Sequence, residues 1–221
     1  MYMDNRTVRV TGNGRMKITP DVTRITLSLE GVCPDYGGAY ARCARDSASL
    51  KDLLSGFGFK GSDLKTLDLS VDPRYEGYEE EGVYKQRLAG YGYRHVLKLE
   101  FIRDNELLGK LLTALAGSPA APELNISYVA GDPEAAKNEL IRRAVKDAES
   151  KAAILAEAAG VTLGKLISVD YSVARLDFEI SPMSRMMKSE QLSSDSAGIS
   201  VDIEPDDIEL TDTVTLIFAV V

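Results

Sequence analysis

His95 is the one histidine of the chain, and general acid–base work near neutral pH would fall to it first. It stands inside the run YGYRHVLKLE, which reads as a strand, and a lone histidine in mid-strand reads as structural. No serine sits in a GxSxG elbow, so no nucleophile–base pair is announced. A metal site built from several histidines is excluded. Cys33 and Cys43 stand ten residues apart, with no CxxC and no zinc-type spacing, and read as small buried hydrophobes. Gly12-Asn13-Gly14 opens like a dinucleotide fingerprint, but the third glycine position holds Lys17 and no helix follows. Glu79-Glu80-Glu81 lacks the alternating ligands and glycine turn of a calcium loop and reads as solvated. The residues therefore give no catalytic, cofactor-binding or metal-binding set.

What remains is contact chemistry. Five of the ten tyrosines fall between residues 75 and 93. Tyrosine brings a large contact area at small entropic cost and is enriched at interfaces. Tyr75 and Tyr84 flank an acidic stretch, Glu76–Gly82, which contains Tyr78 and reads as an exposed hairpin tip; its charge opposes a base-stacking role. Ordinary cross-strand pairing is the plainer account of the same residues. A second stretch, 176–207, is irregular and rich in serine, with Met183, Met186 and Met187 as adaptable contacts. These six residues form the candidate interface.

The elements that must position them alternate in type. Arg6–Thr11 reads as a strand closed by the Gly12-Asn13-Gly14 turn signal, with Arg15–Thr19 extended beyond it. Val22–Cys33 is a half-buried strand with Ile25, Leu27 and Leu29 inward. A helix of about twenty residues follows Pro34–Gly38, with Tyr40, Cys43, Ser47, Leu50, Leu54 and Phe57 as its inner stripe. Leu64–Tyr75 and Tyr84–Arg103 are strands. Asp104 caps a helix to Ala116, and Glu123–Ala130 is a strand. The long helix has Asp132 as N-cap, Pro133 at its first turn and Gly160 at its stop. Its seam reads as Ile141, Val145, Ala148, Ala152, Leu155 and Ala159. Strands at Leu163–Val173 and Glu209–Val221 complete the chain. Two hairpins argue against an all-parallel sheet. The expected class is α+β, a mainly antiparallel sheet covered on one face by helices. One domain over 1–221 is expected, with a division into two lobes left open.

A length of 221 residues and 44% hydrophobic content allow a substantial core. A net charge of −8 disfavours a nucleic-acid partner, which needs a basic surface. No apolar run reaches the length of a transmembrane segment. The first residues, MYMDNRTVRVTGNG, show no leader, so the cytoplasm is expected as written, with the periplasm or export as the alternative.

Four segments resemble the SIMPL-domain family, which includes bacterial periplasmic immunogenic proteins: VTGNGRMKITPDVTRITLSLE, AGYGYRHVLKLEF, DPEAAKNELIRRAVKDAESKAAILAEAAGVTLGKLISV and IEPDDIELTDTVTLIFAV. The likeness runs nearly end to end, and the third segment is the most specific. It implies an α+β fold, a tendency to form higher oligomers, and a loose association with the cell envelope and oxidative stress. It implies no established activity and no cofactor, so no site residue carries over. Most relatives look exported, whereas this chain shows no leader. The family often has Pro-Gly before its last strand, where this chain has Pro205-Asp206.

The leading expectation is a non-enzymatic scaffold or interaction protein that forms a homo-oligomer. The second is a small-ligand or protein-binding module in stress response. The third is an enzyme of unrecognised type, whose pocket would gather His95 or several carboxylates.

Overall fold

The computed structural model describes residues 6–80, 82–172, 175–181 and 203–221. The elements are β1 (Thr7–Ile18), β2 (Val22–Cys33), α1 (Tyr36–Ser55), β3 (Lys65–Glu80), β4 (Val83–Ile102), α2 (Asn105–Ala116), β5 (Glu123–Val129), α3 (Pro133–Ala159), β6 (Leu163–Asp170), β7 (Glu179–Ile180) and β8 (Ile208–Val220). Among the described residues, three helices and two antiparallel sheets make an α+β fold, as the alternation of periods predicts. The chain forms two compact units, one from Met1–Pro20, Val129–Ile180 and Pro205–Val221, the other from Asp21–Tyr128 and Ser181–Glu204.

In the first unit the sheet order is β1-β8-β6, antiparallel throughout. α3 lies across β1 and β8. Its ends follow the sequence. Asp132 accepts a hydrogen bond from the Ala135 N–H at 2.9 Å, Pro133 opens the first turn, and Gly160 stops the helix at φ 68°. Its buried face does so only in part: Ala148 and Ala152 of the expected seam are buried, and the rest of the row differs. The face is Ala136, Leu140, Ala144, Ala148, Ala152 and Ala156, in steps of four, while Leu155 is 50% exposed and Ala159 lies in the open.

The reason lies in β1, which runs unbroken through Gly12-Asn13-Gly14 rather than turning there. Both glycines point inward and are buried. A β-carbon on Gly12 would meet the Ala144 oxygen at 2.0 Å, and one on Gly14 would meet the Leu140 oxygen at 2.1 Å. The helix backbone rests directly on the strand backbone, and the alanine row is what lets it do so. Val10, Val214, Leu216 and Phe218 close the core beside these alanines.

The second unit runs β2-α1-β3-β4-α2-β5 with β3-β4-β2-β5 side by side, the order of a ferredoxin-like split βαβ unit. α1 packs on β2 and β4 and touches α2. Asp35 caps α1 by accepting from the Gly38 N–H at 2.8 Å. Its buried stripe is Ala39, Cys43, Ser47, Leu50 and Leu54. Tyr40, expected inward, is 60% exposed, because Ala39 is the residue in phase with Cys43. Ile25, Leu27 and Leu29 of β2 face Leu97 and Leu99 of β4 as fully buried core.

β3 continues to Glu80, so the stretch read as a loose tip is paired strand as far as Glu80↔Val83. Of the stretch 176–207, residues 176–181 and 203–207 are described. Leu176, Phe178 and Ile180 pack against the cluster of Ala136, Leu140 and Leu210. Met183, Met186 and Met187 lie outside the described residues.

Candidate functional site

The inward side chains of β4 alternate as Tyr93, His95, Leu97 and Leu99, and the first two put polar groups beneath α1. His95 is 8% exposed. Its Nδ1 lies 2.8 Å from Ser47 Oγ, and its Nε2 lies 2.9 Å from Thr66 Oγ1. Ser47 Oγ donates its own proton to the Cys43 carbonyl at 2.8 Å. The serine must then accept from His95, which places the imidazole proton on Nδ1 and leaves Nε2 to accept from Thr66. Burial, with the Lys51 charge nearby, holds the His95 pKa below its usual value, so the ring is neutral at pH 7. It ties α1 to β3 across β4. The Ser47 proton is already committed, so His95 is not posed to take it. Burial also pushes the Cys43 thiol up, away from the thiolate a nucleophile needs.

Beside it, the Tyr93 hydroxyl donates to Asp46 of α1. The phenol is raised well above its usual range, first by burial and then by the Asp46 carboxylate. Gly31 opposite leaves room for this ring, since a β-carbon there would stand 2.6 Å from Tyr93 Cε1.

Next to His95 a cleft of about 290 Å³ opens at the surface. It is lined by Tyr40, Ala44, Ala48 and Lys51 along α1, by Leu69 of β3, and by Cys43, Ser47 and His95 at its floor. Sequence reasoning missed it. Ala44 and Ala48, one turn apart between Tyr40 and Lys51, carry no signal of it until Leu69 of β3 lies across from them.

The hairpin of β3 and β4 divides the tyrosine trio. Opposed residues share a face, so Tyr75↔Leu88, Gly77↔Gln86 and Glu79↔Tyr84 lie on one side. Glu76↔Arg87, Tyr78↔Lys85 and Glu80↔Val83 lie on the other. The second side is laced with charge: Arg87 pairs with Glu76 and lies over the Tyr78 ring, and Lys85 pairs with Glu80 at 2.7 Å. The first side carries Tyr75 at 63%, Tyr84 at 74% and Leu88 at 49% exposure, with Tyr84 folded over Gly77. Tyr75 and Tyr84 thus belong together, and Tyr78 does not. Among the described residues no group of three His, Cys, Asp or Glu side chains is placed to hold a metal ion, and no helix is long and apolar enough to cross a membrane.

Comparison with known proteins adds the lineage. A family model, "SIMPL: Protein of unknown function (DUF541)", matches residues 8–218. The uncharacterized protein YggE of Edwardsiella ictaluri is 26% identical over 214 residues, covering 96% of this chain and 85% of that protein. YggE of Escherichia coli K12 is 24% identical over 218 residues, 97% of this chain and 83% of that protein. The 26 kDa periplasmic immunogenic protein of Brucella melitensis is 28% identical over 165 residues, 73% of this chain and 65% of that protein.

Proposed function

The chain belongs to the SIMPL family, and from that premise we propose that it is a non-enzymatic interaction protein that self-associates through the Tyr75–Tyr84–Leu88 face of its β3–β4 hairpin. One observation carries this reading: two tyrosines and a leucine lie exposed on a single face, while the opposite face carries two ion pairs beside the exposed Val83. Aromatic anchors over a glycine offer a flat patch with few rotamers to freeze on binding. The Brucella relatives are named as periplasmic proteins, which supports the periplasm as the compartment of this chain.

Light scattering across a dilution series tests the proposal. A discrete oligomer is expected, and joint replacement Tyr75→Ser and Tyr84→Ser raises its dissociation constant by about tenfold or more, as loss of anchor residues does. Tyr78→Ser on the charged face leaves assembly unchanged. A monomer at every concentration, or an oligomer indifferent to the double replacement, overturns the reading.

A further inference from the structure

We propose that the cleft between α1 and β3 is a binding site for a small aromatic carboxylate, with the ring against Tyr40 and Leu69 and the carboxylate on Lys51. The cleft holds about 290 Å³. An apolar cavity of about 150 Å³ takes benzene, so one ring and a short acid arm fit here. Ala44 and Ala48 keep the α1 wall low, and any longer side chain at either place would occupy the space. Tyr40 at 60% and Leu69 at 50% exposure flank it as large apolar groups left in water. An apolar body laid between them removes that surface from solvent.

Charge selects the other end of the ligand. Lys51 carries the sole charge among the lining side chains once His95 is neutral, and it makes no ion pair among the described residues. Asp68, the nearby carboxylate of β3, is paired with Val96 and so lies on the sheet face turned away from α1. The neighbouring Asp46 is engaged by Tyr93 and by Arg42 at 3.8 Å. An anion entering the cleft therefore meets a free ammonium and a neutral floor. The floor is rigid, because His95, Ser47, Thr66 and the Cys43 carbonyl hold one another. Binding there is independent of self-association at the hairpin tip.

The single histidine supplies the readout. In the full chain at fixed pH, benzoate is titrated while the His95 ring protons are followed by NMR. Saturable shifts are expected, with a dissociation constant of about 1 mM or tighter for a ligand of this size. Lys51→Gln weakens binding about fivefold or more, and benzyl alcohol, the neutral analogue, binds correspondingly worse. Tyr40→Ser weakens both ligands alike. Shifts that never saturate overturn the proposal. So does equal binding of the acid and the alcohol, or indifference to Lys51→Gln, since both side chains are exposed and their loss leaves the core intact.

Discussion

Gly12 of β1 lies directly under Ala144 of α3: a β-carbon added to the glycine would stand 2.0 Å from the alanine carbonyl oxygen and 2.4 Å from the Ala148 nitrogen. Backbone meets backbone here, so no side chain can turn aside. Gly12→Ala and Gly14→Ala are each expected to cost about 3 kcal/mol or more, at or above the usual range for overpacking. Gly109→Ala is the contrast. Nothing lies within 4 Å of its added carbon, and it sits inside α2. That replacement gains roughly 0.5–1 kcal/mol from helix propensity and a less flexible unfolded chain. Urea unfolding of the three variants checks this; a Gly12→Ala protein as stable as the parent would remove the close approach.

The same contact explains what the sequence shows of α3 and what it hides. Its cap, first turn and stop are local chemistry, and Asp132, Pro133 and Gly160 spell them out. Its face depends on a partner 130 residues away. Taken alone, the helix offers Leu140 and Ile154 as well as Ile141, Val145 and Leu155, and a stripe drawn through the last three shares Ala148 and Ala152 with the buried row but misses Leu140, Ala144 and Ala156. The inward row is instead the smallest, because two glycines draw the backbones together. Ala148→Leu is therefore expected to cost about 3 kcal/mol, while Leu155→Ser stays within roughly 0.5 kcal/mol of the parent. Comparable losses in both thermal midpoints would contradict this phase. The cleft beside His95 was hidden for a similar reason: Ala44 and Ala48 are unremarkable until Leu69 is placed across from them.

His95 makes stability depend on pH in a definite direction. Its folded pKa lies below the ordinary 6.5, so the unfolded chain binds the extra proton first as the solution is acidified. The contribution of the neutral ring is fully present above pH 6.5. It is lost progressively as pH falls from there through the depressed folded value. Urea midpoints at pH 7.5, 6.5 and 5.5 should decline across the lower interval, and His95→Gln should decline less. NMR on the one histidine should show a midpoint below 6.5, with the proton on Nδ1 before titration. A midpoint at or above 6.5 would mean that Ser47 and Thr66 do not hold the ring as neutral.

Three side chains of α3 close the free edge of β1. Arg143 donates to the Arg15 oxygen at 3.0 Å, Asp147 accepts from the Asn13 N–H at 2.7 Å, and Lys151 donates to the Thr11 oxygen at 3.1 Å. The match is geometric: four helix residues rise about 6 Å, and two strand residues span about 6.7 Å. Odd residues of β1 point their backbone groups outward, and an unpaired strand edge of this kind is a template for another chain. Among the described residues, β6, the other edge of the sheet, shows no such cover over the exposed Leu166, Ile167 and Val169. The triple replacement Arg143→Ala, Asp147→Ala and Lys151→Ala should therefore leave helix content unchanged and open β1 to edge-to-edge association. Light scattering should then show mass growing with time and concentration beyond that of the parent. A triple variant that keeps the parent's mass at all concentrations would show that the edge is guarded by something other than these three side chains.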